Sequence, residues 1–461
     1  MNIWTAFKLA LAALLLALAW CLWPVYGFFS HSGDAPLPPF GWVKMAESAP
    51  VTQEATTIAF AEAGEKVIAL LDERRKAIGA PAFSAAVAVD GDVVWRGAVG
   101  WADVASDKRA TPETQFRIGS TSKAVTATAL ARMVDKGLID LDAPITKYLD
   151  EPSNPDWATV TPRMLASHMA GMPHYKENGE PGGLYHSMAL RKQFKDVRDA
   201  VRLFDESPLL SEPGTTFYYS SLGTVLLGAV MSEAAGKPYR RIIEEEVLEP
   251  AGMTSTIVAP KRRGAYDNLA TFYLLKDGRQ RAWRPVDLSH RLPGGGWAST
   301  PTDLVRMGSL VLDTDYISEQ TREAFWTPQR LSNGEVNEQD YAIGWRWREW
   351  EVDGVGLARN ANHGGVSRGS QSWLLVFPDY DMAIAFNINA RTDEFHDFGM
   401  AWEDIFREFA LALRAKQSAS SVGAPAGEGV ALERPDEVKE ALVCKPRLEM
   451  MDGPTFSIIA F

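Results

Sequence analysis

Phe116-Arg117-Ile118-Gly119-Ser120-Thr121-Ser122-Lys123 places a hydroxyl and an amine three residues apart, where an apolar helical pattern begins. Three residues is nearly one helical turn, so the Lys123 amine falls on the same face as the Ser120 hydroxyl. Serine alone is a poor nucleophile. An amine that is partly desolvated gives up its proton readily and then accepts the hydroxyl proton as attack on an acyl carbon begins. Apolar residues recur at Val125, Ala129, Leu130, Met133 and Val134, and Gly137 is a natural stop. The pattern predicts a helix from Ser120 to Lys136. Ser120 then sits at a helix N-terminus, where free N–H groups favour a developing oxyanion. A chain of this length holds about one Ser-x-x-Lys by chance, and a helix cap beside a solvated lysine would look the same.

Two later segments add weight. In Pro213-Gly214-Thr215-Thr216-Phe217-Tyr218-Tyr219-Ser220-Ser221, a turn leads into aromatic residues and then an apolar stretch from Thr224 to Val230. Asn362-His363-Gly364-Gly365-Val366 precedes two expected strands, Ser372 to Phe377 and Ala383 to Ile388, separated by a turn at Pro378-Asp379-Tyr380-Asp381. Gly364 and Gly365 would let a ligand approach the backbone closely.

The order Ser-x-x-Lys, Tyr-Ser-Ser, His-Gly-Gly resembles the serine β-lactamase and penicillin-binding-protein superfamily in its class C-like branch. The likeness covers roughly residues 60 to 415. It also draws on Thr161 to Pro173 and on Gly294-Gly295-Gly296-Trp297-Ala298-Ser299-Thr300. His168 through Tyr175, with the Tyr219 and His363 segments, is most similar to the mitochondrial serine β-lactamase-like members and their bacterial relatives. The resemblance implies that Ser120 is the acyl-forming nucleophile, Lys123 its deprotonating or orienting partner, and Tyr219 a proton shuttle. It also implies an oxyanion hole from the backbone N–H groups of Ser120 and Val366, and substrate contacts at Ser221, His363, Gly364 and Gly365. No cofactor is implied. A phenol of ordinary pKa near 10 is a poor base at neutral pH, so the site would have to lower the cost of ionising Tyr219.

Two departures from the β-lactamase pattern bear on substrate. Ser221 stands where those enzymes carry an asparagine amide, and His363 stands where they carry a lysine, replacing a permanent cation with a group mostly neutral at pH 7. Both weaken recognition of an acylamino-substituted, carboxylate-bearing antibiotic. The expectation is ester or peptide-type acyl hydrolysis, ahead of a D-Ala-type peptidase or β-lactamase. A penicillin-binding sensor, acylated without turnover, or a pseudoenzyme binding module with only a ligand-binding cleft, is the reading from outside enzyme chemistry.

Composition fits a globular enzyme: 461 residues, 46% hydrophobic, with a net charge of −12. With no basic run, nucleic acid is not an expected partner. The seven histidines form no His-Glu-x-x-His run, and Cys21 and Cys444 are the only cysteines, so neither a metal site nor a disulfide framework is expected. His168 and His174 are expected to be structural, and Tyr218 a packed aromatic.

Residues 1–29 read as a membrane anchor or signal segment. Leu9 to Phe29 is apolar apart from the chain breakers Pro24 and Gly27, and is long enough to span a bilayer. Trp20-Cys21-Leu22-Trp23 keeps the run apolar beyond Ala17-Leu18-Ala19, which favours an uncleaved anchor. Lys8 on the cytoplasmic side would put the catalytic domain outside the cytoplasm, in the periplasm of a bacterium.

Residues 30–55 read as a tether and 56–415 as the hydrolase domain. A helix face at Phe60, Gly64, Val67, Leu71 and Ile78 is followed by a hairpin, Phe83 to Val89 and Val93 to Val99, through Asp90-Gly91. A last helix carries Phe398, Trp402, Ile405, Phe409 and Leu413. This is an α+β order. The resemblance implies one antiparallel sheet shared by the first and last parts, with a mainly helical lobe at about 119–290 and the site between them. Residues 416–461 read as a linker and a tail of unknown role.

Overall fold

The computed structural model describes residues 3–32, 35–45, 48–149, 154–261, 264 and 266–422. The tail expected over 430–461 lies outside the described residues, as does the second half of the linker before it.

The main sheet is built from β1 (Val51–Ala55), β2 (Ala82–Val89), β3 (Asp92–Asp103), β4 (Arg346–Val352), β5 (Gly356–Ser367), β6 (Ser370–Phe377) and β7 (Met382–Ile388). Its spatial order is β4-β5-β6-β7-β2-β3-β1, and these neighbours pair antiparallel. The first and last thirds of the chain therefore share one sheet, joined where β7 pairs with β2 through Ala385↔Ala86. β2 and β3 form the expected hairpin. Asp90 and Gly91 both take positive φ, 51° and 84°, the turn geometry that suits the right-handed twist of the strands.

Helices cover both faces, as an α+β layer arrangement requires. On one face lie α2 (Ile58–Ile78) and α5 (Ala401–Val422). Their apolar stripes meet Phe83 and Trp95 of the sheet through Phe60 and Phe409, which stack at 6.0 Å, while Phe398, expected on the last helix, belongs to the short helix Phe395–Gly399 just before it. The other face carries Pro301–Leu310 and, beyond it, the helical lobe with α3 (Ser122–Asp135) and α4 (Ser221–Ala235). The lobe is not wholly helical. Ile257–Val258 pairs with Trp297–Ser299, which also pairs with Phe116–Arg117 directly ahead of Ser120.

Three boundaries differ from the sequence expectation. The stretch expected as a tether is extended but not free: Trp42–Lys44 pairs with Arg279–Ala282, and β1 closes the sheet edge from Val51↔Val99 to Ala55↔Trp95. Proline and β-branched residues disfavour helix there while leaving extended backbone able to pair. Residues 416–422, expected as linker, continue α5, since a helix already nucleated by packing extends at little further cost. The apolar N-terminal run forms α1 (Ile3–Ser32), which passes through Pro24 and Gly27 without ending.

Candidate active site

Lys123 lies in the first turn of α3, and Ser120 on the 3-10 turn Gly119–Thr121 just before it. Lys123 Nζ is 3.1 Å from Ser120 Oγ, 3.0 Å from Ser221 Oγ and 3.0 Å from the Gly294 carbonyl oxygen. The lysine is buried, whereas Ser120 retains access to solvent. Burial, and then the charges of Arg346 and Arg291, hold the Lys123 amine well below its ordinary pKa. A neutral amine has two protons and one lone pair, which matches its surroundings: Gly294 and Ser221 accept, leaving the lone pair for the Ser120 hydroxyl.

Tyr219 sits at the entry to α4. Ser220 caps that helix, with its hydroxyl accepting from Gly223 N at 2.9 Å and donating to Pro173 O at 2.6 Å. The Tyr219 ring lies 4.7 Å from Lys123 Nζ, close enough for the Ser120 hydroxyl to act on its phenol. The ring packs 4.2 Å from His168, which also accepts from Ser220 N at 3.3 Å. His168 is thus structural in its contacts, but what it holds in place is Tyr219. Burial raises the Tyr219 pKa, outweighing the opposing influences of Arg346 and the Ser120 hydroxyl. This runs against the expectation that the site eases phenol ionisation: removing the ring from water costs more than a guanidinium 5.7 Å from the ring returns.

β5 passes directly over the serine turn. Gly119 has φ +51°, and a methyl group there would lie 2.5 Å from Val366 O and 2.8 Å from Val366 N. A methyl group on Gly365 would overlap Ile118 O and lie 2.8 Å from Ser120 N. The glycines bring two stretches of backbone together, so that Ser120 N and Val366 N belong to facing segments. Thr121 Oγ1 ties the same turn to His363 O at 3.2 Å and Ser372 O at 3.3 Å. Gly365→Ala is expected to lower kcat/KM by about 10²- to 10³-fold, the usual effect of disturbing one oxyanion donor. An unchanged rate in a folded protein would separate this close approach from catalysis.

His363 and Ser221 were expected to touch substrate directly, and their surroundings differ from that. His363 is 0% exposed; its Nε2 is 2.8 Å from the Tyr341 hydroxyl and its Nδ1 2.7 Å from Gly364 O. Burial and nearby cations keep the imidazole well below its ordinary pKa, so it is neutral at pH 7. Ser221 is likewise buried and engaged with Lys123. Gly364 faces Phe395, not open space. These residues shape the wall of the site and its proton inventory.

The sequence reading missed Arg346 and Tyr341. Arg346 donates to Gln339 Oε1 at 2.8 Å and lies 4.9 Å from the Tyr341 ring, charging the region beside Tyr219. Its neighbours Trp345 and Trp347 gave no chemical signal. Tyr218, expected to be packed, is half-buried and its pKa is pushed up to about 12 by burial and Glu177. Among the described residues no group of three His, Cys, Asp or Glu side chains is arranged to hold a metal ion.

The buried histidines have a consequence for stability. His186 is held at about 4 and His174 at about 3, chiefly by burial, and His168, His290 and His363 are depressed in the same direction. Below pH 6.5 the unfolded chain binds more protons than the folded one, so stability falls as pH drops. His186 alone accounts for about 3 kcal/mol between pH 6.5 and 4. Thermal melts from pH 7.5 to 4.5 are expected to show a progressive fall in Tm. A flat profile would mean these rings are hydrated.

A sheet shared by the chain's two ends, a helical lobe and a Ser-Lys-Tyr cluster between them define a serine hydrolase fold with an acyl-transfer type of site. The family model described as Beta-lactamase matches residues 67–405, and the chain belongs to that family of serine hydrolases. It is 28% identical over 403 residues to the human "Serine beta-lactamase-like protein LACTB, mitochondrial", covering 69% of this chain and 73% of that one. It is 26% identical over 317 residues to "Penicillin-binding protein 4*" of Bacillus subtilis, covering 66% and 67%. Among solved structures, D-amino acid amidase from Ochrobactrum anthropi, complexed with D-phenylalanine, shares the fold with a TM-score of 0.61 at 21% identity, covering 78% of this chain and 99% of that one.

Proposed function

We propose that this chain is a membrane-anchored hydrolase that cleaves an ester or amide bond of a small-molecule or peptide substrate through an acyl-Ser120 intermediate. The observation carrying this reading is the buried Lys123 amine, depressed in pKa and 3.1 Å from Ser120 Oγ. Neutral Lys123 takes the Ser120 proton as Oγ attacks the acyl carbon. The N–H groups of Ser120 and Val366 receive the negative charge that develops on the acyl oxygen. Tyr219, kept protonated by burial, is a donor: it passes its proton to the leaving group, and the proton that Lys123 took from Ser120 restores the phenol. Water then reverses the sequence and releases the acid.

Ester or amide turnover is favoured over β-lactam hydrolysis because the site has Ser221 in place of a side-chain amide and neutral His363 in place of a lysine. Anchoring is supported by α1, which from Ile3 to Ser30 is long and apolar enough to cross a membrane. Lys8 at its start supports a catalytic domain outside the cytoplasm. Pre-steady-state hydrolysis of a short p-nitrophenyl ester tests the reading. A burst of about one equivalent per site followed by steady turnover is expected. A burst with no turnover would favour a penicillin-binding sensor, and no burst with no turnover would favour a binding module.

A further inference from the structure

The C-terminal end of α1 is packed onto the catalytic domain instead of hanging from it. Pro24, Gly27 and Ser30, three residues apart and so on one face, are buried. Arg191 donates to the Trp20 carbonyl at 2.9 Å and lies 4.3 Å from the Trp20 ring, and Tyr185 donates to the Cys21 carbonyl at 3.1 Å. A methyl group on Gly27 would lie 3.6 Å from Arg284 Nε. Phe28 lies 5.6 Å from the guanidinium of Arg368, two residues beyond Val366. Arg368 also accepts at its carbonyl from Arg117 at 3.2 Å, just ahead of the serine turn, and the charge of Arg291, which stacks 4.2 Å from Tyr175, acts on it.

The domain surface around this junction differs from the rest of the chain. The described residues of 190–195, 260–264 and 273–284 carry eight basic side chains, Arg191, Lys192, Lys195, Lys261, Lys276, Arg279, Arg281 and Arg284, against one acid, Asp277. The net charge of the whole chain is −12. The three segments converge on the helix end: Lys261 donates to Arg191 O at 2.7 Å, and Arg284 donates to Ala189 O and Met188 O at 3.0 and 2.7 Å. Arg281 donates to Phe40 O at 3.0 Å, and Arg279 lies 5.7 Å from the Trp42 ring. Exposed Phe40, Val43, Leu184 and Tyr185 complete a mixed aromatic and basic rim. Residues 3–19, ahead of the first contact, give roughly 25 Å of helix, nearly the thickness of the hydrocarbon core. Tryptophan and tyrosine are favoured where such a helix leaves that core, and basic residues where the lipid surface is anionic.

We infer that this rim seats the catalytic domain on the surface of an anionic bilayer, and that the acyl donor is an amphiphile resident in that bilayer. The inference rests on the anchored-hydrolase reading above and gives its substrate class. Membrane seating places the cleft beside the lipid headgroups, so a water-soluble ester has no advantage of concentration.

The test uses the full chain reconstituted in vesicles of phosphatidylglycerol and phosphatidylcholine, with p-nitrophenyl palmitate in the bilayer and p-nitrophenyl acetate in solution. The combined variant Arg191→Glu, Arg279→Glu, Arg281→Glu is expected to lose about tenfold or more in kcat/KM on the palmitate, since each reversed charge weakens attraction to anionic lipid. Its rate on the acetate should stay as in the parent. Equal rates for the variant and parent on the palmitate, or a parallel loss on both esters, would overturn the inference. If neither ester is cleaved by the parent, the hydrolase reading fails, and seating is judged separately. For that, Cys21→Ala, Cys444→Ala protein carries a fluorophore at Gln193→Cys or, as control, at Lys66→Cys on the far helical layer. Brominated lipid is expected to quench the label at 193 several times more strongly than at 66. Equal quenching would overturn the seating.

Discussion

Replacing Ser120 with alanine is expected to reduce turnover of every accepted substrate by a factor on the order of 10⁶, the scale seen when an acyl-forming nucleophile is removed. The fold should not suffer, because Ser120 is only partly buried and α3 is held by Val125, Ala129, Leu130 and Met133 in the core. Binding should survive, since the facing backbones of Gly119 and Gly365 do not depend on the hydroxyl. Steady-state kinetics with paired thermal melts would check this. Full activity in the folded variant would show that another group attacks the acyl carbon.

The second large effect concerns Lys123. Lys123→Met is expected to slow acylation by about 10³-fold or more, because the general base and one of the hydrogen bonds to Ser120 disappear together. Its effect on stability has the opposite sign. The folded pKa of Lys123 lies below the unfolded value, so between the two the unfolded chain holds a proton that the folded chain lacks. Wild-type stability from this group therefore rises with pH toward the ordinary lysine value, and at neutral pH the lysine is a cost. The methionine variant should melt at a higher temperature at pH 7 and show a smaller gain between pH 7 and 9.5. A lower Tm at pH 7, with no change in pH dependence, would mean the amine's contacts with Ser221 and Gly294 outweigh its burial. The acid limb of kcat/KM in the wild type should likewise follow Lys123, since Tyr219 is raised in pKa and stays protonated across the neutral range.

Local rules made much of the fold legible. The Asp90-Gly91 hairpin, the buried face of α2 and the apolar spacing of α5 each follow from a period or a turn that a few residues decide. Ser120 and Lys123 were legible because one helical turn fixes their separation. Less could be read where meaning comes from pairing across the chain. Val51–Ala55 becomes a sheet edge only because β3 offers it hydrogen bonds, and nothing local distinguishes it from a tether. Arg346 acts on Tyr219 from 127 positions away in sequence, through a strand whose tryptophans suggested only packing. His363 could be placed beside the serine turn by its glycines, but its burial depended on Tyr341, which carried no motif. The basic rim was invisible for the same reason: its residues lie in three segments, none of which reads as a basic run.

The central claim is that Ser120 becomes acylated and then released. Its most direct test is intact-mass spectrometry of the wild-type chain, quenched at intervals after mixing with a short p-nitrophenyl ester, with peptide mapping of the modified site. The account predicts an acyl adduct on the peptide containing Ser120 that appears within the burst and decays as substrate is exhausted. An adduct on any other residue, or turnover with no adduct on Ser120 even under rapid acid quench, would contradict it.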